Sequence, residues 1–194
     1  MNEAQFSTVK SSQVILKELM VPSYANFGGK VHGGVILGLM DKIAYTCAAS
    51  HCKGYSVTAS VDSVDFMNPV EVGDLLTLYA SVNYVGTSSM EVGIKVESEN
   101  FREGTVKHTN TSYFTMVALS EETRKPVKVA GLLLEDEDEI RRFVMGKLRK
   151  KLRRAHQQEI DDIGKALNMG KAIPELTGEN CQVQESAYKN TTAR

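Results

Sequence analysis

Residues 24–45 read YANFGGKVHGGVILGLMDKIAY, and the second half of this stretch decides the fold. Val35, Ile36, Leu37, Leu39, Met40, Ile43 and Ala44 place apolar side chains on nearly every side from residue 33 to about 51, which predicts a helix surrounded by protein. One carboxylate, Asp41, lies inside that run. An ionised group in a low-dielectric core must be paired, hydrogen-bonded or functional. At helical spacing its neighbours are Leu37, Gly38, Ala44, Tyr45 and Ala48, none a cation, and Lys42 lies about 100° round the helix. Two readings stay open at this point: Asp41 caps a neighbouring segment or reaches solvent, or it serves chemistry.

Outward from the helix, the chain reads as strands. Val14–Val21 is a candidate strand and 22–32 a loop rich in Gly, Asn and Pro. Alternation of period two runs through Leu76, Leu78, Ala80, Val82 and Tyr84, then Met90, Val92, Ile94 and Val96, then His108 to Ala118. Turn clusters at 69–74, 86–89, 100–104 and 120–126 separate these runs, as in an antiparallel meander. In SVTASVDSVDFMNP the apolar phase slips from Val57, Ala59 and Val61 to Val64 and Phe66, a shift that a β-bulge would absorb. The predicted class is α+β, a long central helix wrapped by a curved antiparallel sheet.

With 194 residues and 42% hydrophobic composition, the chain is large enough for one full core plus an appendage. A net charge of −1 gives no global argument for nucleic acid or an anionic membrane as partner. The three cysteines lack metal-ligand spacing and point to a reducing compartment, so the expected location is cytoplasmic and no metal is expected. No stretch approaches the length needed to span a bilayer. Three segments are expected: a domain over 1–131, a charged helical extension over 132–170, and a polar, mobile tail over 171–194. In the extension, acids precede a basic cluster, as a helix macrodipole prefers. Ile140, Phe143, Val144 and Leu148 recur at three- and four-residue steps, which predicts a face packed on the domain or a sister subunit. Its cations suit the phosphates of an anionic ligand such as a nucleotide effector.

The loop before the helix adds chemistry. Gly28, Gly29, Gly33 and Gly34 bracket Val31 and His32, leaving backbone N–H groups at the helix start that suit a developing oxyanion. Asn26 carries an amide able to orient a water or to polarise a carbonyl.

PSYANFGGKVHGG, LMDKIAYTCAASHC, VTASVDSVDFMNPVEVGD, VNYVGTSSMEVGIKVESEN and FTMVALSEETRKPVKV, in this order and spacing, resemble the hotdog-fold acyl-CoA thioesterases over about residues 10–131. The resemblance is to the bacterial broad-range and brain-type cytosolic acyl-CoA hydrolases. It implies hydrolysis of acyl-CoA to fatty acid and CoA, with no cofactor beyond the CoA carried by the substrate. It also implies a homo-oligomer, a dimer or a trimer of dimers, with sites at the dimer interface. By the same resemblance Asp41 is the general base or nucleophile, Asn26 comes from the partner subunit, and the N–H groups of Gly33 and Gly34 polarise the thioester carbonyl. His32 matches the histidine of related HGG thioesterases. Gly86, Thr87, Ser88 and Ser89 correspond to the segment bordering CoA, although relatives often carry Arg where this chain has Thr87. Ser60 is a candidate to meet the pantetheine arm. A non-catalytic acyl-CoA-sensing module is the alternative, because fold alone does not fix function.

Overall fold

The computed structural model describes residues 6–184. Helix α1 (Gly33–Cys52) forms where the apolar run predicts it, and Ile36, Leu39, Met40, Ile43, Ala44, Cys47, Ala48 and His51 make its buried stripe. Each fully buried Ile, Leu or Met on that stripe contributes about 1.5–3 kcal/mol. His32 caps the start, its Nδ1 accepting the Gly34 N–H at 2.9 Å, and Lys53 closes the end in the left-handed region at φ 52°.

Five strands curl round α1 in the order β2-β4-β5-β6-β3, all neighbours antiparallel. They are β2 (Val14–Leu19), β3 (Ser56–Val61), β4 (Leu75–Val85), β5 (Ser89–Asn100) and β6 (Thr105–Ala118). Leu76, Leu78, Val82, Met90, Val92, Ile94, Val96, Phe114 and Met116 face the helix and are buried, so the predicted alternation holds. This is the hotdog arrangement that the resemblance implied. A separate parallel pair joins β1 (Phe6–Thr8) to β7 (Gly131–Leu133).

Several sequence expectations need correction. The strand near residue 14 ends at Leu19, and 22–32 contains a 3-10 turn, Pro22–Tyr24, and an Ala25–Val31 bridge. The slip in SVTASVDSVDFMNP is absorbed inside β3, between Thr58 and Ser60, and the strand has ended before Val64. Because β3 is a sheet edge, its apolar residues are not core: Val61 is exposed while Ser56 is buried. A second register shift lies between Val82 and Tyr84 of β4, and it turns Tyr84 from the predicted inner face to the outer one, opposite Glu91.

The boundary expected at 131 coincides with β7, which is paired with β1. The first compact unit closes later, at Lys147, inside helix α2 (Glu137–Ala166). Within that unit the start of α2 packs through Glu139, Phe143 and Gly146, with the Phe143 ring 5.0 Å from that of Tyr84. Of the predicted face, Phe143 packs on the domain, whereas Ile140 and Val144 are exposed within a single protomer. Gly146 explains the choice, since a Cβ there would stand 2.7 Å from Glu91 Oε1 and from Tyr84 Cβ. The second unit, from Leu148, holds the rest of α2 and helix α3 (Met169–Glu175), capped by Asn168. The start of the segment expected to be mobile is therefore helical to Glu175, and its end, 185–194, lies outside the described residues.

Candidate functional site

Leu37, Asp41 and Tyr45 follow one another at four-residue steps on the face of α1 turned away from the sheet, and all three are exposed in a single protomer. The expected burial of Asp41 therefore does not hold within one chain, because a helix in a half-wrapped sheet has one open side. Asp41 is not alone there. Thr58 Oγ1, from the bulged part of β3, donates to Asp41 Oδ1 at 2.6 Å and lies 3.4 Å from Met116 Sδ. That bond commits one carboxylate oxygen and leaves Oδ2 open. Sequence reading passed over Thr58 in favour of Ser60. The missed signal was the bulge: an extra residue at Ala59 re-aims the preceding side chain onto the helix.

Asn26 sits in the loop before α1, where its Oδ1 accepts the N–H of Gly28 at 2.8 Å and of Lys30 at 3.2 Å. Both acceptor directions of the amide are thus used, and its NH2 is the group left to act. Asn26 and Asp41 share no hydrogen bond within a protomer among the described residues.

The two helix-start glycines are not equivalent. Gly34 N–H is occupied by His32 Nδ1, and Val35 N–H donates to His32 O at 2.9 Å. Gly33 N–H has no protein acceptor among the described residues, which corrects the expectation of a matched pair of donors. His32 is therefore a helix cap with its Nδ1 engaged. The Phe66 ring lies over Gly33, 3.4 Å from where a Cβ would stand, so the free N–H borders an apolar wall.

The segment Gly86–Ser89 forms the tight turn between β4 and β5, closed by Gly86 N–H to Ser89 O at 2.7 Å. Its next carbonyls are also engaged, Thr87 O by Val129 N–H and Ser88 O by Ala118 N–H. Thr87 is exposed and Ser88 half-buried in this turn, and Ser60 is half-buried on β3. Cys47 is buried among apolar groups, which pushes its thiol up to about 12, far from a nucleophilic thiolate at neutral pH. Among the described residues there is no group of three His, Cys, Asp or Glu side chains that could hold a metal, and no helix long and apolar enough to cross a membrane.

Residues 28–117, which hold the helix with Asp41 and the strand with Thr58, match the family model described as Thioesterase superfamily. The chain is 45% identical over 146 residues to protein VdlD of Helicobacter pylori, a match that covers 75% of this chain and 83% of VdlD. The chain belongs to the thioesterase superfamily. Its solved structural neighbours among thioesterases include a hexameric acyl-CoA thioesterase in the apo state, with TM-score 0.76 and 37% identity, covering 79% of this chain and 97% of that one. An acyl-CoA hydrolase from Staphylococcus aureus, solved with butyryl coenzyme A and coenzyme A, has TM-score 0.74 and 32% identity, covering 83% and 98%. That hydrolase has also been solved as single alanine variants of an asparagine, an aspartate and a threonine.

Proposed function

We propose that this thioesterase hydrolyses acyl-CoA thioesters to free fatty acid and CoA, with Asp41 and Thr58 of one protomer and Asn26 of its partner forming the site. The observation that carries the reading is the Asp41–Thr58 pair on the open face of α1. The three alanine variants of the Staphylococcus aureus hydrolase support it. Their Asn and Asp stand 15 positions apart and their Asp and Thr 17, and Asn26, Asp41 and Thr58 repeat both separations, 41 minus 26 and 58 minus 41.

A thioester is already activated, so its hydrolysis needs a placed nucleophile, a base and donors for the carbonyl oxygen. With Thr58 holding Oδ1, Asp41 Oδ2 takes a proton from water as the water oxygen bonds to the carbonyl carbon. The C–S bond then breaks and the proton passes to the CoA sulfur. Direct attack by Oδ2 forms a mixed anhydride that water opens, and gives the same products. The Asn26 NH2 and the Gly33 N–H are the donors for the carbonyl oxygen. Asn26 acts by donating, because its acceptor is spent on its own loop.

The open stripe Leu37–Asp41–Tyr45 and the unpaired edge β3 are what a sister protomer covers, in a dimer or a trimer of dimers. Gly86, Thr87, Ser88, Ser89 and Ser60 border the CoA portion, and no cofactor beyond the substrate's CoA takes part. A cytoplasmic setting and a role in fatty acid metabolism belong to the same proposal, as does a nucleotide effector at the basic extension. Thiol release from acyl-CoAs between acetyl and palmitoyl tests it. Turnover that depends on chain length is expected; binding without thiol release by the wild-type protein would favour a sensing module.

A further inference from the structure

Phe27 is the most exposed large apolar side chain among the described residues, with a fractional exposure of 114% in a single protomer. The loop that carries it is tied down. Asn26 N–H donates to Lys30 O at 2.7 Å, Gly29 N–H donates to Asn26 O at 3.0 Å, and Asn26 Oδ1 takes the N–H groups of Gly28 and Lys30. Gly29 turns the chain at φ 76°, in the left-handed region that favours glycine, and Val31 N–H donates to Val70 O at 2.9 Å. Apolar side chains scattered over a surface need no explanation. This one directly follows the asparagine that the proposed reaction sends into the partner's site.

With the Asn26 amide at a thioester held by the partner's Asp41, the place of Phe27 is narrowly bounded. Consecutive Cα atoms are about 3.8 Å apart, and residues one helical turn from Asp41 are about 5–6 Å from it. Phe27 therefore meets the same open face of α1, where Leu37 and Tyr45, together with Val61 at the end of β3, expose apolar surface. The other donor for the carbonyl oxygen, Gly33 N–H, already has an aromatic neighbour in Phe66. Each donor thus has a phenyl ring beside it, one from each chain. A phenyl ring offers no hydrogen bond to the amides of pantetheine, whereas it packs well on a run of methylenes.

Given the shared site proposed above, we propose that Phe27 determines acyl-chain specificity across the subunit interface, its ring forming one wall of the partner's acyl site and that protomer's Phe66 another. The ring also keeps water off the Asn26 donor, so that the hydrogen bond to the carbonyl oxygen forms in an apolar setting.

The test is kcat/KM over straight-chain acyl-CoAs from acetyl to palmitoyl for the wild type, Phe27→Ala and Phe27→Leu, with assembly followed by sedimentation. Phe27→Ala should lower the ratio of the preferred longer acyl-CoA to acetyl-CoA by about fivefold or more, and Phe27→Leu, which keeps apolar bulk, should restore most of it. Differently tagged chains produced together then locate the ring. When a Phe27→Ala chain pairs with an Asp41→Asn chain, the intact Asp41 lies on the first and the intact Phe27 on the second. The doubly tagged pair should therefore show the wild-type chain-length profile. A pair that keeps the Phe27→Ala profile would place the ring in its own protomer's site and overturn the inference. Equal ratios in wild type and Phe27→Ala would overturn it as well, as would a wild type confined to acetyl-CoA. Loss of assembly in Phe27→Ala, repaired by Phe27→Leu with no change of ratio, would make the ring an interface anchor only and overturn the specificity role. Those results leave the thioesterase reading standing; no thiol release from any acyl-CoA by the wild type would sink both.

Discussion

Thr58 and Asp41 are 17 positions apart in sequence, and a 2.6 Å hydrogen bond from Thr58 Oγ1 to Asp41 Oδ1 joins them, which under the proposed function positions the carboxylate. A hydrogen bond to a charged group is worth about 1.5–3 kcal/mol, so Thr58→Val should lower kcat by about 10- to 100-fold with little change in KM. Thr58→Ser should restore most of it; equal losses in both variants would count against a positioning role. His51 gives a separate prediction about stability. It is buried, with Nε2–H donating to Ala130 O at 2.9 Å and Nδ1 unpartnered among the described residues, and burial lowers its pKa. The unfolded chain takes up this proton near the ordinary value of about 6.5, whereas the folded chain resists it to lower pH. Stability should therefore be fully present above that range and fall as the pH drops below it. Denaturant midpoints measured from pH 8 to 5 should show the slope, and His51→Gln should flatten it.

At the scale of elements, the helix and the three long strands were legible because each repeats a simple period over many residues. The hydrophobic stripe of α1 and the alternation of β4, β5 and β6 needed no tertiary knowledge. What escaped was local re-phasing. The bulge in β3 aims Thr58 at the helix, and the one in β4 turns Tyr84 outward and leaves Asn83 as the extra residue; neither leaves a periodic mark. The docking face of α2 was read only in part, through Phe143, for a related reason. Apolar periodicity pointed to Ile140, Phe143, Val144 and Leu148, and closeness of approach at Gly146 selects the side carrying Phe143 as the one that packs within the protomer. Gly146→Val should accordingly cost about 1–3 kcal/mol by overpacking against Tyr84 and Glu91, measured as a lower urea midpoint. Ile140→Ala, at an exposed position, should leave that midpoint nearly unchanged.

For the whole molecule, the fold could be read from periodicity alone, whereas the roles of Asn26 and Asp41 and their assignment to different chains rested on the family resemblance and stand here as part of the proposal. A single protomer leaves Asp41, Leu37, Tyr45 and the edge strand β3 open, and its Asn26 makes no bond to its own Asp41. The central claim is that each site is shared between two copies of the chain. The most direct measurement is the acyl-CoA hydrolysis rate of oligomers formed from differently tagged Asp41→Asn and Asn26→Ala chains produced together. Each variant alone should assemble normally and lose most turnover, Asp41→Asn more completely. In a dimer of one chain of each kind, one of the two sites is fully wild type. Random pairing should then restore about a quarter of wild-type activity, and the doubly tagged fraction about half. Doubly tagged oligomers no more active than the single variants would contradict a site shared across the interface.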